Sequence, residues 1–409
     1  MNVETAREVI ERCRTLATYS EESGFITRTF LAESMRNVHA DLSAWMRAAG
    51  MDVRIDAAGN LRGLYAGTPD AGRRLLIGSH LDTVPHAGAF DGVLGVVIGI
   101  SVVASLNGRK LPFNIEVIGF SEEEGIRFGI PFIGSRAVAG DLKETDLAAR
   151  DDAGISIRQA IEGFGLDPNR LDDSRAAPDA FGYVEFHIEQ GPVLDRRNWP
   201  LAVVDAIAGR VAATVTFIGE AGHAGTTPMD GRHDAIVAAA EWIHAVEALA
   251  CATPDLVATT GQVVAEPGAT NVIAGRCRVS LDVRHADDSV RTAAVERLRA
   301  AADDVACRRR IRVEWVERFD LPTTRMDPFL VTMMTRAVER TGAPSLVMTS
   351  GAGHDAMILA PRMPAAMLFV RSPGGISHHP EESVREEDVA LALAAGRYLL
   401  DDLAGLSDG

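Results

Sequence analysis

Residues 74–120 read RLLIGSHLDTVPHAGAFDGVLGVVIGISVVASLNGRKLPFNIEVIGF. The short apolar run at 74–79 leads straight into His80, which is the pattern of a strand buried on both faces. Residues 93–106 are apolar apart from glycine and serine. That run is too long for a strand and too short to span a bilayer, so it reads as a buried helix. Residues 113–120 form a second buried strand. A strand, a helix and a strand in this order make a parallel unit, and in such sheets chemistry gathers at the carboxyl ends of the strands. His80, Asp82 and the acidic run from Glu122 to Glu124 all stand immediately after an expected strand.

Outward from this stretch the same style continues. Helical periodicity covers residues 3–17 and 33–49, and strands are expected at 52–56 and 60–65. The expected first domain is therefore α/β, a mainly parallel sheet with helices on both faces. From residue 210 the order changes to strand 211–218, helix 234–248, strands 256–264 and 277–284, helix 289–304 and strand 311–317. This β-α-β-β-α-β order is that of a ferredoxin-like α+β domain. Residues 322–328 read as a linker, after which the α/β style resumes and ends in a helix at 386–403. The expectation is a discontinuous domain at 1–208 and 324–409 with an inserted one at 209–323.

The 409 residues suit two domains, and 47% hydrophobic with 24% charged residues is a globular composition. Forty-one basic against 57 acidic residues give a net charge of −16, which argues against nucleic acid and anionic membrane as partners. A small anionic substrate remains open, because one placed arginine overrides the global field locally. Cys13, Cys251, Cys277 and Cys307 show no metal or redox spacing and read as reduced thiols. The amino-terminal stretch is charged from its fourth residue without an apolar core, so a cytoplasmic location is expected.

Four segments hold most of the possible ligands: 78–92 (GSHLDTVPHAGAFDG), 120–129 (FSEEEGIRFG), 186–195 (FHIEQGPVLD) and 374–382 (GGISHHPEE). Taken singly, each has a plainer reading. Asp91 before an apolar helix reads as an N-cap, and three glutamates read as a solvated helix start. His187 and Glu189 fall on one side of an extended stretch. Asp82 is placed to fix the tautomer of His80. Together, histidines and carboxylates at several strand ends point to a metal site.

With GHAGTTPM, PGATNVIAG, LDVRH and SGAGHDA added, the ordered motif set resembles the hydantoinase/carbamoylase amidases, relatives of aminoacylases and di-zinc exopeptidases. The resemblance implies two divalent ions per subunit, zinc or else manganese, cobalt or nickel. Asp91 would bridge them, His80 and His187 would complete one position, and Glu124 and His378 the other. Glu123 would be the general base and acid. Arg284 would pair with a substrate carboxylate, with Gln190, Asn271 and Gly375 as further substrate contacts. His223 would stabilise the oxyanion in the other subunit of a homodimer, through an inserted domain that serves as lid and dimerisation surface. Asp82, His285, His354 and Asp355 would support the ligands from behind, while His39, His86, His233 and His244 are structural or solvated.

The implied reaction is hydrolysis of the carbamoyl C–N bond of a small ureido acid, releasing ammonia and carbon dioxide. Allantoate and N-carbamoyl-L-amino acids stand as equal candidates, because two signals in the pattern conflict. SGAGHDAMILAPRMP is similar to allantoate enzymes. Arg210-Val211-Ala212 departs from their basic strand, and a shift of one residue would turn Arg210 to the opposite face. An aminoacylase or dipeptidase on N-acyl amino acids is the competing enzyme class. A non-catalytic binding protein is the third, and the presence of Glu123 argues against it.

Overall fold

The computed structural model describes residues 3–406, which divide into two compact units, residues 3–205 with 325–406, and Ala206–Thr324. The first unit is built on a mixed sheet. Its strand order is Asp52–Ile55, Leu61–Tyr65, Asn114–Phe120, Arg74–His80, Ala180–Ile188, Ala365–Val370, Leu201–Ile207 and Thr324–Arg325, with Val347–Ser350 also paired to Leu201–Ile207. The four central strands run parallel. Leu61–Tyr65 is antiparallel to both its neighbours, and Leu201–Ile207 is antiparallel to Ala365–Val370. The expected mainly parallel sheet is thus a mixed one. Asp56 and Asn60 close a tight turn that folds the first two strands into a hairpin, which needs no crossover. The segment 322–328 is not a plain linker, since Thr324–Arg325 joins the sheet.

Helices lie on both faces of the centre. On Ala180–Ile188, Phe186 packs against Gly396 of helix Glu386–Gly405, where an added methyl would sit 3.0 Å from its Cζ. The neighbouring Glu185 points the other way and accepts the main-chain N–H of Ala356 on helix Asp355–Leu359 at 2.8 Å. Successive strand side chains alternate faces, so the two helices must be on opposite sides. Helix Val93–Ala104 is almost wholly buried, as its uniform apolarity requires.

The second unit has one antiparallel sheet, ordered Val263–Glu266, Arg276–His285, Gly209–Ile218, Arg312–Leu321, with Val257–Thr259 also on Arg276–His285. Helices Ala235–Ala252 and Asp288–Arg309 pack on it around Trp242, Phe217 and Leu298. This is the expected split β-α-β-β-α-β arrangement. The strand expected at 256–264 is broken into two short pieces around Gly261. Ala235–Ala252 is long and apolar enough to cross a membrane. It is capped by Asp234 and carries Trp242 into the core, where the indole N–H donates to Leu298 O at 2.9 Å. A further two-stranded ribbon, Gly222–His223 with Val272–Ile273, is not apparent from periodicity.

Candidate active site

Three strand ends and two loops of the first unit bring the expected ligands together. His80 ends Arg74–His80, and His187 is the penultimate residue of Ala180–Ile188. Each ring is oriented by main chain: His80 Nδ1 meets Asp82 O at 3.0 Å, and His187 Nδ1 meets Ile188 O at 2.9 Å. A carbonyl can only accept, so both Nδ1 atoms carry the proton. The two Nε2 atoms face each other at 3.4 Å, and the Oδ1 of Asp91 lies 3.3 Å from that of His187 and 3.8 Å from that of His80. Two imidazole lone pairs and a carboxylate on one buried spot repel unless positive charge lies among them. Burial opposes charging His80, yet the Asp82 carboxylate, followed by Glu123 and Asp91, raises its affinity for a proton. Burial pushes His187 down to about 4. This donor set fits a divalent cation of the zinc or manganese type.

The other side of Asp91 faces a second set. His378 Nε2 lies 3.1 Å from Asp91 Oδ2 and 3.5 Å from Glu124 Oε1. The potential donor atoms of Asp91, Glu124 and His378 lie within 4.8 Å of one another, as do those of His80, Asp91 and His187. Asp91 therefore stands between two adjoining sets. Burial works against its charge, but the hydrogen bond from His378 and the nearby His187 and His80 outweigh it and hold it well below the usual carboxylate range. Its side chain does not cap the apolar helix. The cap position belongs to Gly92, at φ 67, and a Cβ there would lie 2.5 Å from the His80 ring.

Asp82 does more than orient His80. Its carboxylate is 3.4 Å from His80 Nδ1, beyond the nearer carbonyl. Its two oxygens accept the main-chain N–H groups of Glu123 at 3.0 Å and Glu124 at 3.1 Å. The acidic run is thus hung from the histidine strand, and it does not start a helix. Glu122 is fully buried, with one oxygen on Gly125 N at 2.6 Å. Glu123 and Glu124 turn towards His80, close enough to form a third set of donors with it. Burial raises Glu123 well above the carboxylate range and Glu124 to about 7.

The remaining expected residues of this unit are close by. Gln190 donates Nε2 to both oxygens of Asp91, at 3.1 and 3.0 Å. Its main-chain N–H donates to Ser372 Oγ at 3.1 Å, and Gly375 N donates to Ser372 O at 2.8 Å, so one serine ties both segments. His354 packs edge-on against His187 at 4.4 Å and shares a hydrogen bond with Ser350 Oγ. Asp355 is fully buried at the start of its helix. Glu189 faces away and caps helix Val193–Arg197 through Val193 N and Leu194 N.

Two carboxylates escape sequence reasoning. Glu185 takes Ser79 Oγ and Ala356 N and forms a donor set with His187 and His354. Glu382 accepts Phe90 N and Asp91 N. The alternation Tyr183-Val184-Glu185-Phe186-His187 was a signal for the first, since it puts Glu185 on the face of His187.

In the second unit, the ribbon pairs His223 with Val272, and Ala224 N donates to Asn271 O, which sets His223 beside Asn271. His223 Nδ1 accepts the N–H groups of Gly225 and Thr226 at 3.1 and 3.2 Å, so the proton sits on Nε2. Arg284 and Arg210 are direct cross-strand partners. Both hold Asp282, Arg284 Nε at 2.7 Å and Arg210 Nε at 2.6 Å, so Arg210 shares the face of Arg284 and is not turned away from it. His285 bonds Asp287 N and Pro254 O within its own unit.

Residues 76–402 match Peptidase family M20/M25/M40. A probable allantoate deiminase of Oryza sativa subsp. japonica is 38% identical over 430 residues, spanning 96% of this chain and 87% of its own. An N-carbamoyl-L-amino acid amidohydrolase of Geobacillus stearothermophilus is 39% identical over 374 residues and 91% of each chain. The crystal structure of a hydantoinase/carbamoylase family amidase from Burkholderia multivorans superposes with a TM-score of 0.91, at 30% identity over 97% of both chains. The chain therefore belongs to peptidase family M20/M25/M40 and, within it, to the hydantoinase/carbamoylase amidases, hydrolases of non-peptide carbon–nitrogen bonds.

Proposed function

We propose that this protein hydrolyses the carbamoyl C–N bond of a small ureido acid, allantoate or an N-carbamoyl-L-amino acid, with two divalent cations. The observation that carries the reading is the convergence of the His80 and His187 Nε2 atoms on Asp91, with Glu123 alongside. His80, Asp91 and His187 would hold one cation, and Asp91, Glu124 and His378 the other. Bound there, such ions polarise a carbonyl and make hydroxide available near neutral pH. Glu123 takes a proton from the attacking water and returns it to the departing nitrogen. The protein's part in substrate selection falls to Arg284, whose planar guanidinium suits a carboxylate, and to Gln190, Asn271 and Gly375. Arg210, on the same face as Arg284, offers a second donor for the longer diureido acid. His223 donates its Nε2–H to the developing oxyanion. We place that histidine in the partner's site of a C2 homodimer built on the inserted domain, which closes over substrate as a lid.

The test is ammonia release by metal-reconstituted protein on allantoate, N-carbamoyl-L-amino acids, N-carbamoyl-β-alanine and N-acetyl amino acids. Turnover of the carbamoyl substrates, abolished by chelation and restored by divalent metal, is expected. Turnover confined to the N-acetyl substrates would replace the reading with an aminoacylase. Full turnover in metal-free protein would remove the cations.

A further inference from the structure

The loop of Asp91 and the loop of His378 are distant in sequence yet converge on one side chain. Glu382 Oε1 accepts Phe90 N at 2.9 Å and Asp91 N at 3.0 Å. Its other oxygen, Oε2, accepts Ser377 Oγ at 3.2 Å, directly before His378. The second loop curls back on itself, with Glu382 N on His379 O at 3.0 Å. His378 itself sits at φ 55, a left-handed conformation that a histidine does not hold without support. His80 and His187 are each steered through Nδ1 by a carbonyl of their own strand end, whereas the polar contacts of the His378 ring run through Nε2 to Asp91, Glu124 and Gln190. The first loop is shaped to admit the carboxylate: a Cβ at Gly88 would overlap the side chain of Glu382. Glu382 is buried, at 5% exposure.

We infer that Glu382 is a positioning residue that clamps the Asp91 and His378 loops together and so sets the affinity of the Asp91–Glu124–His378 position for its metal. The inference rests on the two-cation reading above. Its logic is that of support from behind the ligands: removal of such partners typically weakens metal binding by about 10- to 100-fold. The effect should be selective. The His80–Asp91–His187 position shares Asp91, but two of its three ligands are fixed without Glu382.

The experiment is calorimetric titration of metal-free protein with zinc, together with the melting temperature of the metal-free form. Wild type should bind two equivalents. Glu382→Ala should lose at least about 10-fold in affinity at one position and keep the other within a few-fold. Glu382→Gln should restore most of the loss, because its Oε1 still accepts both N–H groups and its Nε2 can donate to Ser377 Oγ. Ser377→Ala, which removes only the His378 half of the clamp, should weaken the same position by less. It decides the matter if Glu382→Ala does not fold. Two unchanged affinities in Glu382→Ala would overturn the inference. So would an equal loss at both positions, a Gln variant as impaired as the Ala variant, or, if only Ser377→Ala folds, unchanged affinities there. Fewer than two equivalents in wild type would instead overturn the two-cation reading.

Discussion

Glu123 is the acid whose role is most exposed to test. It lies within ligand reach of His80 and Glu124, so geometry alone admits it as a ligand, whereas the proposed chemistry needs it as a base. Glu123→Gln should lower kcat by at least about 100-fold with metal content unchanged, measured by initial rates and elemental analysis. Loss of metal would exchange its role with that of Glu124. His39 tests the opposite case, a histidine with no chemistry to do. It is 3% exposed on helix Glu33–Ala48, edge-on to Phe164, and neither ring nitrogen has a partner. Burial lowers it from 6.5 to about 4. The unfolded chain therefore binds more protons between these values, so the contribution of this neutral histidine to stability is fully present above about pH 6.5, declines as pH falls and is gone below about 4. At pH 5 the loss should be about 2 kcal/mol, read from urea unfolding at pH 7 and pH 5. His39→Leu should remove most of that difference, and an unchanged pH slope would assign it to other groups.

Among the elements, the turn between Arg74–His80 and helix Val93–Ala104 has no room for a side chain at Gly92. Gly92→Ala would force a methyl into the His80 ring at a positive φ, so metal binding should fall by at least about 10-fold by calorimetry. Gly108, at φ 82 with nothing within 4 Å, is the control. Gly108→Ala should cost about 1 kcal/mol in stability and leave metal binding alone. The sequence carried much of this region. His80, Asp91, Glu124, His187 and His378 were legible as candidates from their places at strand ends and in glycine-rich loops, but their grouping into a ligand set came from the motif resemblance. The helix–strand order was legible from periodicity over residues 3–120 and, apart from the small ribbon, over 211–317. Glu382 was not, because an acceptor of main-chain N–H groups leaves no pattern, and its partner Asp91 is 291 residues away. The face of Arg210 depends on register with Arg276–His285, which one strand alone does not determine. The parallel sheet was over-read for a related reason: buried strands look alike whichever way they run.

At the scale of the whole molecule, the proposed dimer makes a sharp prediction. His223→Ala and Glu123→Gln chains should each be inactive alone. After subunit exchange, a mixed dimer has one site with both groups intact if His223 works across the interface, and activity should return to about half per mixed dimer. No recovery despite exchange, verified by mass-tagged chains, would reject a shared site and leave the metal chemistry untouched.

The grip of Asp82 on the acidic run reaches beyond catalysis. It holds the main-chain N–H groups of Glu123 and Glu124, never their side chains. The frame is therefore indifferent to the side chains at those two places, provided neither is proline. On the proposed two-cation reading, new ligands can be installed there, a histidine or an aspartate for Glu124, without unfastening the segment from the strand that carries His80. The site separates scaffold from reagent, which gives evolution, or a protein engineer, interchangeable sockets for changing metal preference one position at a time.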